Sequence, residues 1–431
     1  MSEKALMRKG WCPGARRPMR AKDGLLVRIK ISCGSLSAFA LRGLAQAGRN
    51  HGNGRFDLTS RANLQVRGVR EEELPHLIEA LDVLGLVDTS ARAEAVRNVL
   101  VSPLAGLDGQ GHGLAAAAAL EKMLAENEDL HALPAKFGFL IDDASALPLS
   151  CIPADVRFEW KAAREEYLIA IGGTTGNAIA LGYCRTGQLA EFAANVARAF
   201  LRLSSQRSRP ARRMRELIAY CGAEAIADAS GLRLHPGDRE SAMEDPRLFG
   251  LLRFRGNSAF GAGPPFGCCD SSALAAAVEG AQKFGTGEIR LTPWRSLVFP
   301  LRHMKQAHAL GDLLAMHGFI VGAEDPRLAV WACAGSSACE RATTDTRSDA
   351  LALMPFARQV RNRGVTMQLF GCAKACGRKE GVPLTMFANS GLYDLAVGEG
   401  FFWRPVSGGS RLTLAAACHK LEALSRGAAA E

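Results

Sequence analysis

Aromatic side chains are scarce: Phe, Tyr and Trp make up 6% of the 431 residues, with only 4 Tyr and 5 Trp. A surface that stacks nucleobases needs aromatics interleaved with its cations, and no such pattern occurs, so nucleic acid is not an expected partner. No uninterrupted apolar run approaches the roughly 20 residues that span a bilayer, so no transmembrane helix is expected. The opening stretch, Met1 to Cys12, lacks the apolar core of a secretory signal. With 12 cysteines and no export signal, the expected setting is reducing and cytoplasmic, where thiols hold metal rather than pair as disulfides. Lysine is also short, 12 against 41 arginines among 53 basic residues. Arginine grips carboxylate and phosphate with a two-pronged fork, so a net charge of +10 carried this way suits a small polyanionic ligand. A compositional bias of the genome would give the same count. The 48% hydrophobic content over this length describes a globular chain of two or more domains.

What the sequence does have is an ordered set of cysteines. Cys333 and Cys339 are separated by five residues, and Cys372 and Cys376 by three, with 32 residues between the pairs. A zinc knuckle usually uses pairs separated by two residues, wrapped tightly on one ion. The wider spacing here suits a larger object with separate corners, a [4Fe–4S] cluster. Gly335, Gly371 and Gly377 would let the backbone approach it and donate amide N–H groups to its sulfurs. The alternative is four structural cysteines acting as small apolar groups. The remaining cysteines, Cys12, Cys33, Cys151, Cys184, Cys221, Cys268, Cys269 and Cys418, show no ligand spacing and are expected to be structural.

Residues 25–31 alternate as a half-buried strand, Ser35 to Ala47 has helical periodicity with Ser35 as cap and Gly48 as stop, and residues 71–84 read as an amphipathic helix. Between them, Thr59, Arg61, Asn63, Gln65 and Arg67 would share one face if the segment is extended, a polar row suited to a ligand. This strand, helix, strand, strand, helix order is a ferredoxin-like half unit. It recurs 233 residues later, where Gly285 to Phe299 align without gaps to Gly52 to Val66 and keep both glycines and the Leu-Thr pair. A helical stretch over 271–283 precedes the second copy, as 35–47 precedes the first. One repetition of a long period means a pseudo-twofold duplication rather than a solenoid. Trp294, Ser296 and Val298 replace the polar row in the second copy, and the segment after the first copy has no cysteine at the corresponding places, so one half keeps the metal.

Several motifs together resemble the sulfite/nitrite reductase superfamily. They are Leu58-Thr-Ser-Arg-Ala-Asn-Leu-Gln-Val-Arg-Gly68, Val96-Arg-Asn98, Leu133-Pro-Ala-Lys-Phe137, Gly263-Pro-Pro-Phe-Gly267 and the cysteine set, in the family's order over about 25–376. The resemblance implies an α+β fold: two ferredoxin-like halves forming a central barrel, flanked by two larger α+β domains around a tetrapyrrole site. The expected boundaries are 1–88 and 248–322 for the half domains, with 89–247 and 323–431 for the larger ones, the last carrying the cysteines. The same resemblance makes Cys333, Cys339, Cys372 and Cys376 the [4Fe–4S] ligands. It matches Arg61 and Arg97 to the arginines, and Lys136 to the first of two lysines, that position an anion beside sirohaem. The second lysine's place, in Leu-Pro-x-Lys-Phe-Lys, is held by Gly138. The Pro-Asn that follows the third cysteine is replaced by Ala373-Lys374, and a carboxylate seven residues after the fourth by Pro383.

Ser102-Pro-Leu-Ala-Gly-Leu-Asp108 and Gly371-Cys-Ala-Lys374 look most like the superfamily's branch in aerobic cobalamin biosynthesis. What that implies is an enzyme, a monooxygenase that takes precorrin-3A as substrate and hydroxylates it with O2 and a reductant such as NADH from an electron donor. A γ-lactone closes on the product. The acidic arms of the macrocycle would meet Arg61, Asn63, Arg67, Arg97 and Lys136. The branch also implies a mononuclear non-haem iron, for which no ligand is assigned; no histidine lies in an H-x-D/E pair, and His303 and His308 are five apart, on different helix faces. Two alternatives stand beside this reading. One is a sirohaem-dependent assimilatory nitrite or sulfite reductase. The other is a non-catalytic protein that carries a cluster or a tetrapyrrole.

Overall fold

The computed structural model describes residues 12–108, 112–235, 248–361, 365–376, 382–399 and 402–427. Its four five-stranded sheets form two pairs of matching topology. In the first half domain Met19–Ala21, Gly24–Ile29, Leu64–Val69 and Arg55–Leu58 lie side by side. The second repeats this with Gly250–Phe254, Asn257–Ala262, Leu297–Pro300 and Glu288–Leu291. Each sheet is completed by a three-residue strand from the other half. Cys268–Asp270 pairs antiparallel with Arg55–Asp57, and Ser35–Ser37 pairs antiparallel with Glu288–Arg290. The exchange covers one sheet edge in each half, which would otherwise be open to unwanted pairing. Helices Ala38–His51 and Ser271–Lys283 pack together, and one apolar core runs from Val27 and Phe56 to Phe260 and Phe299. Among the described residues no ladder joins the two sheets into the closed barrel that the resemblance implies; they remain separate sheets linked by the exchanged strands.

Three local expectations are corrected. Ser35 belongs to the exchanged strand, and the helix cap is Ser37, whose hydroxyl accepts from the Ala40 amide at 3.1 Å. Gly48 lies inside the helix, where a Cβ would meet the Phe56 ring at 2.3 Å, and the helix ends at Gly52. Thr59 to Asn63 is not extended: the Thr59 amide donates to Asn63 O (2.9 Å) and the Ala62 amide to Thr59 O (3.2 Å), with Ala62 at φ 51°. This hairpin turn splits the polar row, leaving Gln65 and Arg67 on the following strand. The second copy builds the same turn with Thr292 to Ser296 O (3.0 Å), Arg295 to Thr292 O (3.2 Å) and Arg295 at φ 59°. Identical backbone geometry under different side chains is what a duplication leaves behind.

The larger domains also match. Val99–Val101, Phe139–Asp142 and Ala154–Lys161 run parallel, followed by antiparallel Glu166–Gly173 and Ile179–Cys184. Val330–Ala332, Met367–Phe370 and Leu384–Asn389 run parallel in the other, followed by antiparallel Leu392–Glu399 and Phe402–Pro405. No helix among the described residues is long and apolar enough to cross a membrane.

Candidate functional site

The cysteines leave the C-terminal ends of two adjacent parallel strands, the edge where α/β sheets present loops to ligands. The Cys333 amide donates to Leu369 O at 3.1 Å, and the Gly371 amide donates to Cys333 Sγ at 3.2 Å. Thr346 Oγ1 donates to Cys333 O at 2.8 Å. Burial raises the Cys376 thiol above its ordinary value; Lys374 opposes this, and the nearby Cys372, Cys339 and Cys333 add to it. The Cys376 thiol therefore lies within charge range of the other three. No three His, Cys, Asp or Glu side chains among the described residues draw together around a single ion. Thiol donors in these loops, with the Gly371 amide already supplying one N–H···S contact, are the donor set a [4Fe–4S] cluster uses. Gly335 and Gly371 are needed for packing as well. A Cβ on Gly335, at φ 70°, would lie 2.8 Å from the Thr346 nitrogen, and one on Gly371 would lie 2.6 Å from the Ala342 Cβ. Gly377 falls outside the described residues.

The duplication shows why one domain holds cysteine and the other does not. The Ser102 amide donates to Ile141 O at 3.1 Å, the bond that Cys333 makes to Leu369 O. Ser102 therefore stands where Cys333 stands, and Ala144, two residues past its strand, where Cys372 stands. Neither can be a thiolate ligand.

A second feature lies between the first half domain and the first larger domain. A cavity of about 310 Å³ is lined by Lys30, Arg61, Asn63, Arg97, Asn98, Lys136, Gly138 and Arg213, with Glu121 as its carboxylate. Its cations differ in how far they are neutralised. Arg97 is committed to Asp88 (2.7 Å) and Glu121 (3.4 Å), and Arg213 to Asp155 (3.0 Å). Among the described residues the hydrogen bonds of Arg61 go to neutral acceptors: Asn98 Oδ1 (3.4 Å), Ala135 O (3.5 Å) and Lys136 O (2.9 Å). Asn98 is the hub, because its amide nitrogen also donates to Ala95 O, Ala135 O and Phe137 O. Asn63 accepts from the Ile31 amide at 3.1 Å, which leaves its amide nitrogen for other partners.

Arg67 is not brought to this cavity. Its fork grips Asp23 (2.9 and 2.7 Å) and Asp57 (3.3 Å), and it also donates to Ala338 O (3.0 Å). Arg295 in the second copy lies over the Trp331 ring at 5.4 Å. His308 is surface-exposed, 3.5 Å from Asp312. Sequence reading missed Lys30, which is 6% exposed and donates to Glu94 O, to Ala95 O (3.3 Å) and to Asn98 Oδ1 (2.8 Å). No ligand set for a mononuclear iron exists among the described residues.

These contacts set two expectations. Arg61→Ala removes an arginine that hydrogen-bonds no carboxylate among the described residues, so anion binding should weaken by about 1.5–3 kcal/mol, the range for charge-assisted hydrogen bonds. Arg67→Ala should leave that affinity within about 0.5 kcal/mol. Calorimetric titration of both variants with the same anionic ligand checks the contrast. The second expectation is a pH dependence. Burial, then the charges of Arg97 and Arg61, lower the Lys30 amine from 10.5 to about 7. Above pH 7 the cavity loses that charge, so affinity for an anion should fall by about 1 kcal/mol, the difference between charged and neutral hydrogen bonds. Lys30→Met should flatten the profile. The unfolded chain keeps this amine protonated up to about 10.5, so the unliganded protein should gain stability as pH rises from about 7 to 10.5.

Residues 17–84 and 255–317 match the nitrite/sulfite reductase ferredoxin-like half domain. Both matches fall on the duplicated half domains, so in these regions the chain is similar to the nitrite/sulfite reductase superfamily. The chain is 28% identical over 399 residues to precorrin-3B synthase of Sinorhizobium sp, covering 91% of this chain and 83% of that protein. It is 26% identical over 391 residues to the chloroplastic ferredoxin–nitrite reductase of Betula pendula, covering 82% of this chain and 66% of that enzyme. The solved structure of the Mycobacterium tuberculosis NirA protein superposes with a TM-score of 0.72 at 23% identity, over 89% of this chain and 77% of that one, and shares the fold.

Proposed function

We propose that the protein is an oxidoreductase of the precorrin-3B synthase kind, a cytoplasmic enzyme that hydroxylates precorrin-3A with O2. The reading is carried by Gly138. On the wall of the cation-lined cavity, it occupies the place where the reductase pattern has its second lysine, and a Cβ there would find nothing nearer than 3.7 Å. Reduction of sulfite or nitrite needs many protons and strong charge stabilisation at one small anion. Leaving that wall bare favours bulk over protons. The cavity's volume is at the small end for ligand sites, so it suits the acidic rim of a macrocycle rather than the whole ring.

In this reading Arg61 and Lys136 hold carboxylate arms, and Asn63 donates its amide to the same rim. Asn98, held by Lys30, keeps the Leu133 to Phe137 strap and Arg61 in position, while Arg97 holds the Lys30 carbonyl. A [4Fe–4S] cluster on Cys333, Cys339, Cys372 and Cys376 would supply one-electron transfer from an external donor. The net reaction takes up O2, two electrons and two protons. One oxygen atom enters at a meso carbon, the other leaves as water, and a ring-A acetate closes to the lactone. The non-haem iron that the branch uses is part of this proposal without assigned ligands.

The test is mass spectrometry of product formed under 18O2, run beside sulfite and nitrite consumption assays. One labelled atom in the product and no consumption of either anion are expected. Gly138→Lys should fold, given the space around the Cβ, yet slow the reaction and create no reductase activity. An unlabelled product, or steady reduction of either anion by the unmodified protein, would overturn the proposal.

A further inference from the structure

Two guanidinium groups meet at one carboxylate beside the cysteine centre. Asp57 accepts from Arg347 Nη2 at 2.7 Å through Oδ1 and from Arg67 Nη1 at 3.3 Å through Oδ2. Asp23 takes the rest of the Arg67 fork. The side chains are sequestered, with Arg67 at 4%, Asp57 at 11% and Arg347 at 16% exposure. Each arginine then reaches a different part of the cysteine loops. Arg67 donates to the carbonyl of Ala338, the residue before Cys339. Arg347 begins next to Thr346, whose hydroxyl holds the Cys333 carbonyl and lies 3.6 Å from the Cys333 sulfur. Nothing in substrate binding uses this group of charges.

Two positive and two negative charges balance overall, but not locally, because Arg347 is the member whose chain neighbour, Thr346, touches the Cys333 sulfur at 3.6 Å. We infer that Arg347, held in place by Asp57, sets the reduction potential of the cluster carried by these cysteines. Reduction adds negative charge to a buried centre, and a fixed guanidinium nearby favours it in a medium of low dielectric. Arg347 is a positioning residue in this role: it changes how easily the electron arrives and touches no substrate. The inference rests on the cluster reading of the four cysteines.

Removal of Arg347 and removal of its counter-charge should act in opposite directions. Arg347→Gln takes away the near cation and leaves the Asp57 carboxylate with less compensation. One-electron reduction should become at least tenfold less favourable, about 59 mV more negative. Asp57→Asn leaves both arginines undercompensated and should raise the potential. Arg347→Lys keeps the charge and should stay close to the unmodified protein. A loosened fold would not produce opposite signs. The measurement is a redox titration of anaerobically purified holoprotein, followed by electron paramagnetic resonance, with iron and sulfide assayed in every sample. Potentials that do not move, or that move the same way in Arg347→Gln and Asp57→Asn with iron and sulfide retained, overturn the inference. If Arg347→Gln loses its iron, the other two variants decide: a raised potential in Asp57→Asn beside an unshifted Arg347→Lys supports it, and any other pair overturns it. Unmodified protein lacking bound iron and sulfide overturns the cluster reading itself, and the inference with it.

Discussion

Serine in place of Cys333, Cys339, Cys372 or Cys376 is expected to abolish bound iron and sulfide, while Cys418→Ser retains both. Soft thiolate is the ligand that iron–sulfur clusters select, and a serine hydroxyl at the same point is harder and poorly ionised. Cys333 and Cys372 follow the ends of adjacent parallel strands and Cys339 and Cys376 lie on the loops beyond them, so each thiol supplies one corner. Cys418 lies on the helix Leu414–Gly427 and packs against the apolar core of that domain. Cluster binding and folding are linked, so the four variants should also be less soluble. Iron and sulfide assays on anaerobically purified protein, with sedimentation of the lysate, read both effects. Full stoichiometry in all four would reject the assignment.

Arg97→Ala is expected to destabilise the protein by about 3–5 kcal/mol, the cost of removing one partner from a buried ion pair. Arg97 donates to both oxygens of Asp88 (2.7 and 2.8 Å), to Glu121 (3.4 Å) and to Lys30 O (3.1 Å). Its side chain is 10% exposed, Asp88 is 11% and Glu121 is 8%. Truncation therefore takes the guanidinium from two carboxylates held away from water, leaving Glu121 with neutral donors, the Ser32 hydroxyl and the Cys33 amide. Urea unfolding should show a lower midpoint with little change in slope. Adding Asp88→Asn and Glu121→Gln should recover part of the loss, since the stranded charges are then gone. An unchanged midpoint in Arg97→Ala would place the ion pair among those that contribute nothing measurable. The contrast with Arg61 is instructive: two arginines on the same cavity, one matched by carboxylates and one by neutral carbonyls, should separate into a stability effect and a binding effect.

The duplication was visible because Gly52-x-Gly54 and Gly285-x-Gly287 punctuate both copies at the same offset, and the helix expected over 271–283 is Ser271–Lys283. The exchanged strands could not be seen. Ser35–Ser37 and Cys268–Asp270 have three residues each, too few for any alternation, and each partner lies in the other half. The turn at Thr59 to Asn63 was hidden by its own composition, because polar residues at every second position continue through the turn and imitate one extended face. Arg67 shared that pattern, but carboxylates 44 and 10 residues away claim its fork, and a one-dimensional pattern does not show partners. Lys30 was misread for the opposite reason. In the alternating stretch from Leu25 to Ile31 it falls on the polar side, which ordinarily faces water, yet the first larger domain covers that side and buries it. The cysteines needed no partner to be recognised; their spacing is itself the signal.

The reciprocal strands have a consequence for how such a protein could have arisen. Each half completes its sheet with the other's edge, and the two exchanges match strand for strand. That is the contact a symmetric homodimer makes when each protomer lends a segment to its neighbour. Joining two copies end to end would preserve every such contact and remove only the requirement that the copies be identical. Before fusion, a mutation converting the Cys333 position to serine would have struck both centres at once. After it, Ser102 could lose the thiol while Cys333 kept it, and Arg61 could diverge from Trp294, without disturbing the shared hydrogen bonds beneath. Symmetry of the backbone and asymmetry of the chemistry then become compatible in a single chain.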